Sequence, residues 1–398
     1  MIKRTLSGKL LESARRYPVI FITGPRQSGK TTLAKMSFPK YRYVSLEDLD
    51  RRQFAIEDPR GFLATYHGNI IFDEIQRVPD LLSYLQTEVD HDDTAGRFIL
   101  TGSQQFLLME KVGQTLAGRV AFLHLLPFSL SELTGAAPSD PFRFEETKKE
   151  KKMPLYPLEQ ILYQGLYPRI YDKKLVAHQW LGDYYRTYVE RDVRDVLKIG
   201  NLDIFQRFVR LCAGRCGQLL NLSSLANDCG ITHPTARQWI SVLQASFIVT
   251  LISPHHANFS KRLIKSPKLY FLDPGLLCYL LRIRDSEELK THAMRGAIFE
   301  SFIISELHKS FSHIGEDPPL YFWRDRTGHE VDLIIDLGQN VLPVEVKSSR
   351  TIASDFFDGL RYWLSLKGNP QTIGVLIYAG GERSKRDNFY VKPWYDCS

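Results

Sequence analysis

No stretch of the 398 residues is apolar for the roughly 20 positions that a bilayer-spanning helix needs, so no helical membrane anchor is expected. The first residues, Met1-Ile2-Lys3-Arg4, lack the apolar run of a secretory signal, and a cytoplasmic location is the expectation. Cysteine is scarce. Five residues (Cys212, Cys216, Cys229, Cys278 and Cys397) in a chain of this length exclude a disulfide framework. Cys212 and Cys216 lie four apart with no second pair at zinc-ligand spacing, so structural thiols are expected. Internal repeats and long low-complexity tracts are also lacking, which excludes a solenoid. What is present is a globular composition, 43% hydrophobic and 24% charged. The length predicts two or three domains. The net charge of +7 is uneven: residues 199–285 carry 10 Lys and Arg against 4 Asp and Glu, and residues 286–398 carry 13 against 16. That places any nucleic-acid contact in the third quarter of the chain.

The first 135 residues alternate short apolar runs with helical stretches. Val19–Ile22, Tyr43–Leu46, Asn69–Phe72, Arg97–Leu100 and Val120–Leu123 read as strands. Continuous rather than alternating apolarity predicts burial on both faces, hence a parallel sheet covered by helices in an α/β domain over 1–135. Residues 136–198 read as a charged linker, with Lys148-Lys149-Glu150-Lys151-Lys152 exposed, followed by a helical lid. Residues 199–285 read as a winged helix, and residues 286–398 as a further α/β domain.

Gly24-Pro25-Arg26-Gln27-Ser28-Gly29-Lys30-Thr31 follows the first strand and opens a helix that continues through Thr32. This Gly-x-x-x-x-Gly-Lys-Thr spacing suits a loop whose backbone N–H groups wrap phosphates at the positive end of a helix. Residues 24–32 are therefore expected to bind ATP, with Lys30 on the β- and γ-phosphates and Thr31 on Mg²⁺. Ile70-Ile71-Phe72-Asp73-Glu74 brings two acids to the same sheet edge. Asp73 is expected to hold Mg²⁺ through water, and Glu74 to orient or deprotonate the attacking water. Thr101 and Ser103, in Phe98–Ser103, are both candidate sensors of the γ-phosphate, or simply turn formers. Arg119 is a candidate arginine finger in cis or trans, or the partner of an acid.

In the third segment, Leu222–Gly230 reads as a helix ending at a glycine turn and Ile231–Thr235 as the start of a second. Ala236, Trp239, Ile240 and Leu243 share one face, leaving Thr235, Arg237, Gln238, Ser241 and Gln244 to meet a DNA groove or solvent. Lys261, Arg262, Lys265 and Lys268 belong to the following wing. Nearer the C-terminus, Glu330 and Asp332 share one strand face, as do Glu345 and Lys347 on a neighbouring strand. Glu300 lies on the apolar stripe of a helix with Ile303, Ile304 and Leu307. Converging acids repel by about 4 kcal/mol at 4 Å in an effective dielectric of about 20. Lys347 and a divalent cation would relieve this, so Glu300, Asp332 and Glu345 with Lys347 form a candidate metal-dependent nuclease site.

With these strings in order, the chain resembles a prokaryotic family of AAA-superfamily ATPases that carry a C-terminal domain of unknown function. The likeness rests on Gly24–Thr31, Ile70–Glu74, Leu100–Ser103, Leu116–Arg119, Pro127–Glu132, Glu190-Arg191-Asp192-Val193, Glu330-Val331-Asp332 and Glu345-Val346-Lys347. It implies an ATPase of the additional-catalytic-glutamate class, a winged helix, and a C-terminal domain similar to restriction endonucleases. The family's Gly-Gly-x-Pro is Gly165-Leu166-Tyr167-Pro168 here, which departs from the pattern at the second glycine and puts the adenine contact in doubt. The resulting expectation is a Mg²⁺-dependent ATP-hydrolysing switch that controls a winged-helix and nuclease-like module on DNA. Its alternatives are a DNA nuclease regulated by ATP, and a non-cleaving regulator that works through contacts with another protein. An oligomer is compatible with each; a membrane partner is not.

Overall fold

In this computed structural model the described residues are 2–103, 112, 115–144, 153–189, 202–255, 266–367 and 369–397. Five apolar runs form strands β1 (Val19–Gly24), β2 (Arg42–Ser45), β3 (Ile70–Asp73), β4 (Phe98–Ser103) and β5 (Val120–His124). They make one sheet in the order β2-β3-β4-β1-β5, every pair parallel. The central strands β1, β3 and β4 are buried along their whole length, as their unbroken apolarity requires, whereas the edge strands β2 and β5 are partly open. Successive side chains leave opposite faces. Val19, Phe21, Ile70, Phe72, Phe98 and Leu100 join one core, and Ile20, Ile22, Ile71 and Ile99 the other. The first core is closed by apolar residues of helices Pro59–Thr65 and Leu81–His91; the second by those of Leu6–Ser13 and Lys30–Ser37.

The chain divides into two compact units: residues 1–128 with 245–247 and 312–316, and the remainder. The second unit is built on an eight-stranded mixed sheet, comprising β6 (Val249–Pro254), β7 (Lys268–Phe271), β8 (Leu320–Arg324), β9 (Glu330–Asp336), β10 (Val341–Lys347), β11 (Gly374–Tyr378), β12 (Ser384–Arg386) and β13 (Phe389–Pro393). Its order is β12-β13-β11-β10-β9-β8-β6-β7. The antiparallel pair β6–β7, expected to belong to a domain ending at 285, instead extends the C-terminal sheet through parallel pairing of β6 with β8. Pairing of backbone N–H and C=O groups across that boundary leaves no free sheet edge at which the expected domains could part.

Ahead of β6, helix Leu222–Cys229 stops at Gly230, whose φ of 69° is left-handed, and helix His233–Ala245 follows. Ala236, Trp239, Ile240 and Leu243 are buried, and Trp239 meets Phe205 and Phe208 of helix Leu202–Gly214 edge-on at 5.3 and 5.1 Å. Arg237, Gln238 and Ser241 are exposed; Thr235 and Gln244 are half-buried. Lys148–Lys152, Glu190–Val193, Lys261, Arg262 and Lys265 lie outside the described residues. No helix among the described residues is long and apolar enough to cross a membrane.

Candidate nucleotide site

β1 ends at Gly24, and the chain turns through Pro25–Gly29 into helix Lys30–Ser37. Gly24 is needed because of its neighbour across the sheet edge: a Cβ there would lie 2.1 Å from the Leu125 carbonyl oxygen. Gln27 and Gly29 adopt φ of 63° and 95°, the second at the helix N-cap where glycine carries little strain. Lys30 is buried and folds back to donate to the carbonyls of Gly24 at 3.0 Å and Pro25 at 2.9 Å. Ser28 is fully buried and its hydroxyl has no hydrogen-bond partner among the described residues. Arg26 and Gln27 are half-buried and Thr32 is exposed.

The Thr31 hydroxyl donates to Asp73 Oδ1 at 2.8 Å, so helix and β3 converge although β4 separates β3 from β1. Thr101 on β4 bridges that gap by donating to the same Oδ1, while Tyr43 on β2 donates to Oδ2 at 2.7 Å. Glu74 leaves β3 with φ of 59°, a left-handed conformation uncommon for a non-glycine residue and concentrated at functional sites. Its carboxylate accepts from Gln76, whose amide also donates to Ser103 at 3.0 Å. Burial pushes the Glu74 carboxyl up, against the pull of Lys30 and Arg26 and with the push of Asp73. Two hard oxygen donors at the mouth of a loop of backbone amides suit Mg²⁺ and a phosphate chain, and the orphaned Ser28 hydroxyl is consistent with a polar ligand there.

Arg119 is not part of this group. Its carbonyl accepts from Val19 at the start of β1, the sheet end opposite the loop, and its Nε pairs with Asp90 at 2.6 Å. A strand of six residues, about 20 Å long, thus separates it from Gly24, which removes the cis finger and leaves the acid partner and the trans finger. Two residues escaped sequence reasoning. Arg4 is buried and donates to the carbonyls of Ser28 at 2.7 Å and Leu126 at 2.6 Å, with its guanidinium 5.0 Å from the Phe128 ring centroid. It fastens the loop from 20 residues upstream, and no local pattern marks it. Tyr43 had a faint signal, a hydroxyl on a strand otherwise read as apolar.

In the second unit, β9, β10 and helix Arg295–Ser312 bring the C-terminal acids together, but not as an open cage. Lys347 pairs with Glu345 and lies 3.7 Å from Asp332, whose Oδ2 accepts from the Val346 N–H at 2.9 Å. Glu345 Oε2 is buried without a hydrogen-bond partner among the described residues. Burial and the Asp332 charge hold the Glu345 carboxyl well above the usual range, against Lys347. Glu300 is taken up otherwise: Tyr270 donates to it, and Lys268 lies 3.7 Å away while also pairing with Glu330. Burial and Asp332 push the Glu300 carboxyl up to about 7. Among the described residues no group of three or more His, Cys, Asp or Glu could hold a metal ion. The expected three-acid set of Glu300, Asp332 and Glu345 is therefore corrected: Glu300 is taken up by Tyr270 and Lys268, and Asp332 and Glu345 by Lys347.

Lys268 is corrected with it. Expected on the wing, it lies in β7, is 3% exposed and serves two carboxylates. Lys268→Met is expected to destabilise the second unit by about 3–5 kcal/mol, because it strips one partner from a buried ion pair. Urea unfolding followed by tryptophan fluorescence measures this, and a variant as stable as the parent would show the network to be solvated. Gly165 and Leu166 likewise have a structural duty. The Leu166 N–H donates to buried Asp273 at 2.8 Å, and a Cβ on Gly165 would lie 2.3 Å from that carboxylate. Pro168 opens helix Pro168–Asp172.

Residues 16–134 match the family model of an AAA domain, and residues 156–287 and 295–397 match two domains of unknown function, DUF8612 and DUF4143. The chain is 28% identical over 354 residues, 88% of its own length and 74% of theirs, to an uncharacterized protein of Mycobacterium tuberculosis and to one of Mycobacterium bovis. Among solved structures it is similar to the Walker-type ATPase of Pyrococcus abyssi, at 15% identity and TM-score 0.44, over 70% of this chain and 95% of that one.

Proposed function

We propose, from the AAA-superfamily P-loop domain that residues 16–134 form, that this protein is an ATP-hydrolysing switch whose nucleotide state governs the second unit on DNA. Such a domain binds and hydrolyses ATP in general terms; the residue roles are our assignment. The observation that carries it is the convergence of Lys30, Thr31, Asp73 and Glu74 at one sheet edge. Residues 24–29 would wrap the phosphates with N–H groups. Lys30 would exchange the Gly24 and Pro25 carbonyls for phosphate oxygens, a charge-assisted bond stronger than the one it leaves. Thr31 and Asp73 would hold Mg²⁺, which when bound neutralises developing charge on the phosphates. Tyr43 and Thr101 keep the Asp73 carboxylate in one orientation. Glu74, fixed by its backbone and by Gln76, would accept a proton from the attacking water. Ser103 reaches Glu74 only through Gln76, which gives it a positioning part rather than a direct one.

DNA is the partner supported by the exposed Arg237, Gln238 and Ser241 on the second helix of the 222–245 pair and by the basic excess of residues 199–285. Calorimetric titration with ATP, with and without Mg²⁺, tests the nucleotide site: heat of uptake that requires the metal is expected, and none at all would overturn the proposal. A second reading, a nuclease, is favoured by one observation, the orphaned Glu345 oxygen beside Asp332 and Lys347. It predicts nicking of supercoiled plasmid that vanishes in Asp332→Asn. An intact plasmid across buffers and nucleotides would retire it in favour of a non-cleaving regulator.

A further inference from the structure

Glu159, in helix Leu158–Gln164, is buried yet not apolar in its surroundings. Arg295 donates to its Oε1 at 3.2 Å, and Arg350 to both its oxygens at 3.1 Å. Burial alone would raise this carboxyl; its own backbone N–H and the two guanidiniums outweigh that and hold it below the usual range. Arg295 also donates to the Ser348 carbonyl and opens the 18-residue helix Arg295–Ser312. Together with Lys290 and Ser349, these residues line a cavity of about 350 Å³. Three cations face one carboxylate, a net of +2 within the lining. Lys290 is met at 2.7 Å by Glu287, which does not line the cavity, so the inner charge is that of the arginines.

The carboxylate has a mechanical consequence. Two guanidiniums this close repel each other, and Glu159 pins both as planar forks at the cost of one Nη from each. The Arg350 side chain is two-thirds exposed and shares the lining with Ser348 and Ser349, whose hydroxyl accepts from the Thr351 N–H at 3.2 Å and lies 3.3 Å from the Thr351 hydroxyl. A planar fork, hydroxyl donors and uncompensated positive charge match an acceptor-only, tetrahedral anion better than they match a neutral or apolar ligand. The volume accommodates a phosphate with its attached sugar. Ser348–Arg350 follow Lys347 directly, so a bound phosphate would lie at the end of the strand that carries Glu345 and Lys347.

We propose that Arg295, Arg350, Lys290, Ser348 and Ser349, organised by Glu159, form a second phosphate-binding site, separate from the P-loop. Its ligand is a phosphate of a nucleic-acid strand or of a free nucleotide. The site does not depend on the P-loop assignment.

The test uses the full chain. Anisotropy of a labelled duplex of about 20 base pairs is measured for wild type, Arg350→Lys and Arg350→Glu across a salt series. In parallel, AMP and inorganic phosphate are titrated calorimetrically in a Lys30→Ala background. Arg350→Glu is expected to weaken duplex binding about tenfold or more and to flatten the salt slope by about one unit, with Arg350→Lys between. The melting temperature of Arg350→Glu is expected to fall, because the change strips a partner from buried Glu159 and sets a second carboxylate beside it, so all three proteins are compared at a temperature at which melting curves show them folded. If only AMP and phosphate weaken, the site takes free nucleotides. Should wild type bind no duplex, the DNA reading fails alone and the calorimetric arm still decides. Equal affinities for all three probes in wild type and Arg350→Glu overturn the site.

Discussion

Glu74→Gln is expected to lower ATP turnover by about 10²–10⁴-fold while leaving ATP uptake close to that of the parent. Glutamine keeps the volume and polarity of a half-buried side chain but cannot take a proton from water. The backbone argument makes this position more than a convenient acid. A non-glycine residue held at φ of 59° costs energy that the surroundings must offset, and the Gln76 amide fixes where the side chain points. Steady-state phosphate release and calorimetry on one preparation separate the two effects. Undiminished turnover would transfer the role to another group.

Lys30→Ala has the larger effect on binding. The ammonium is buried and donates to the Gly24 and Pro25 carbonyls, so the truncation removes both the proposed phosphate cation and a restraint on the loop. Loss of charge-assisted bonds worth about 3 kcal/mol or more corresponds to affinity for ATP weakened by at least about 100-fold. The same calorimetric titration reads it, with melting curves to show that the variant folds. Affinity within the parent's range would mean that the loop binds by its amides alone.

Much of the first unit was legible because its signals are local and periodic. Five apolar runs became five strands, with ends that differ by at most three residues, a normal boundary error. The two-faced burial of β1, β3 and β4 follows from unbroken apolarity, since a strand with one wet face needs polar residues at alternate positions. Placing Asp73 near Thr31 needed one further step, the rule that parallel strands present their C-terminal ends to the same edge. The helical face of Ala236, Trp239, Ile240 and Leu243 was readable for the same periodic reason.

What was not legible depends on partners far apart in the chain. Arg119 adjoins a glycine turn in a family-like string, yet strand direction puts it at the wrong end of the sheet. Lys268 sits in a basic stretch that suggests a solvated wing, yet the pairing of β6 with β8 carries β7 into the sheet and buries that side chain among Glu300 and Glu330. Arg4, Tyr43 and the Glu159–Arg295–Arg350 cluster have no spacing to announce them.

The sequence by itself determined the phosphate-wrapping loop, the acid-tipped strand and the order of elements, because glycine placement, apolar runs and helix periods act over a few neighbouring residues. Only the tertiary structure decided which charges meet. Charged side chains and partners 24 to 191 residues away are brought within hydrogen-bond reach by strand order and helix packing, and the cost of burying a charge then selects a partner that no local pattern specifies.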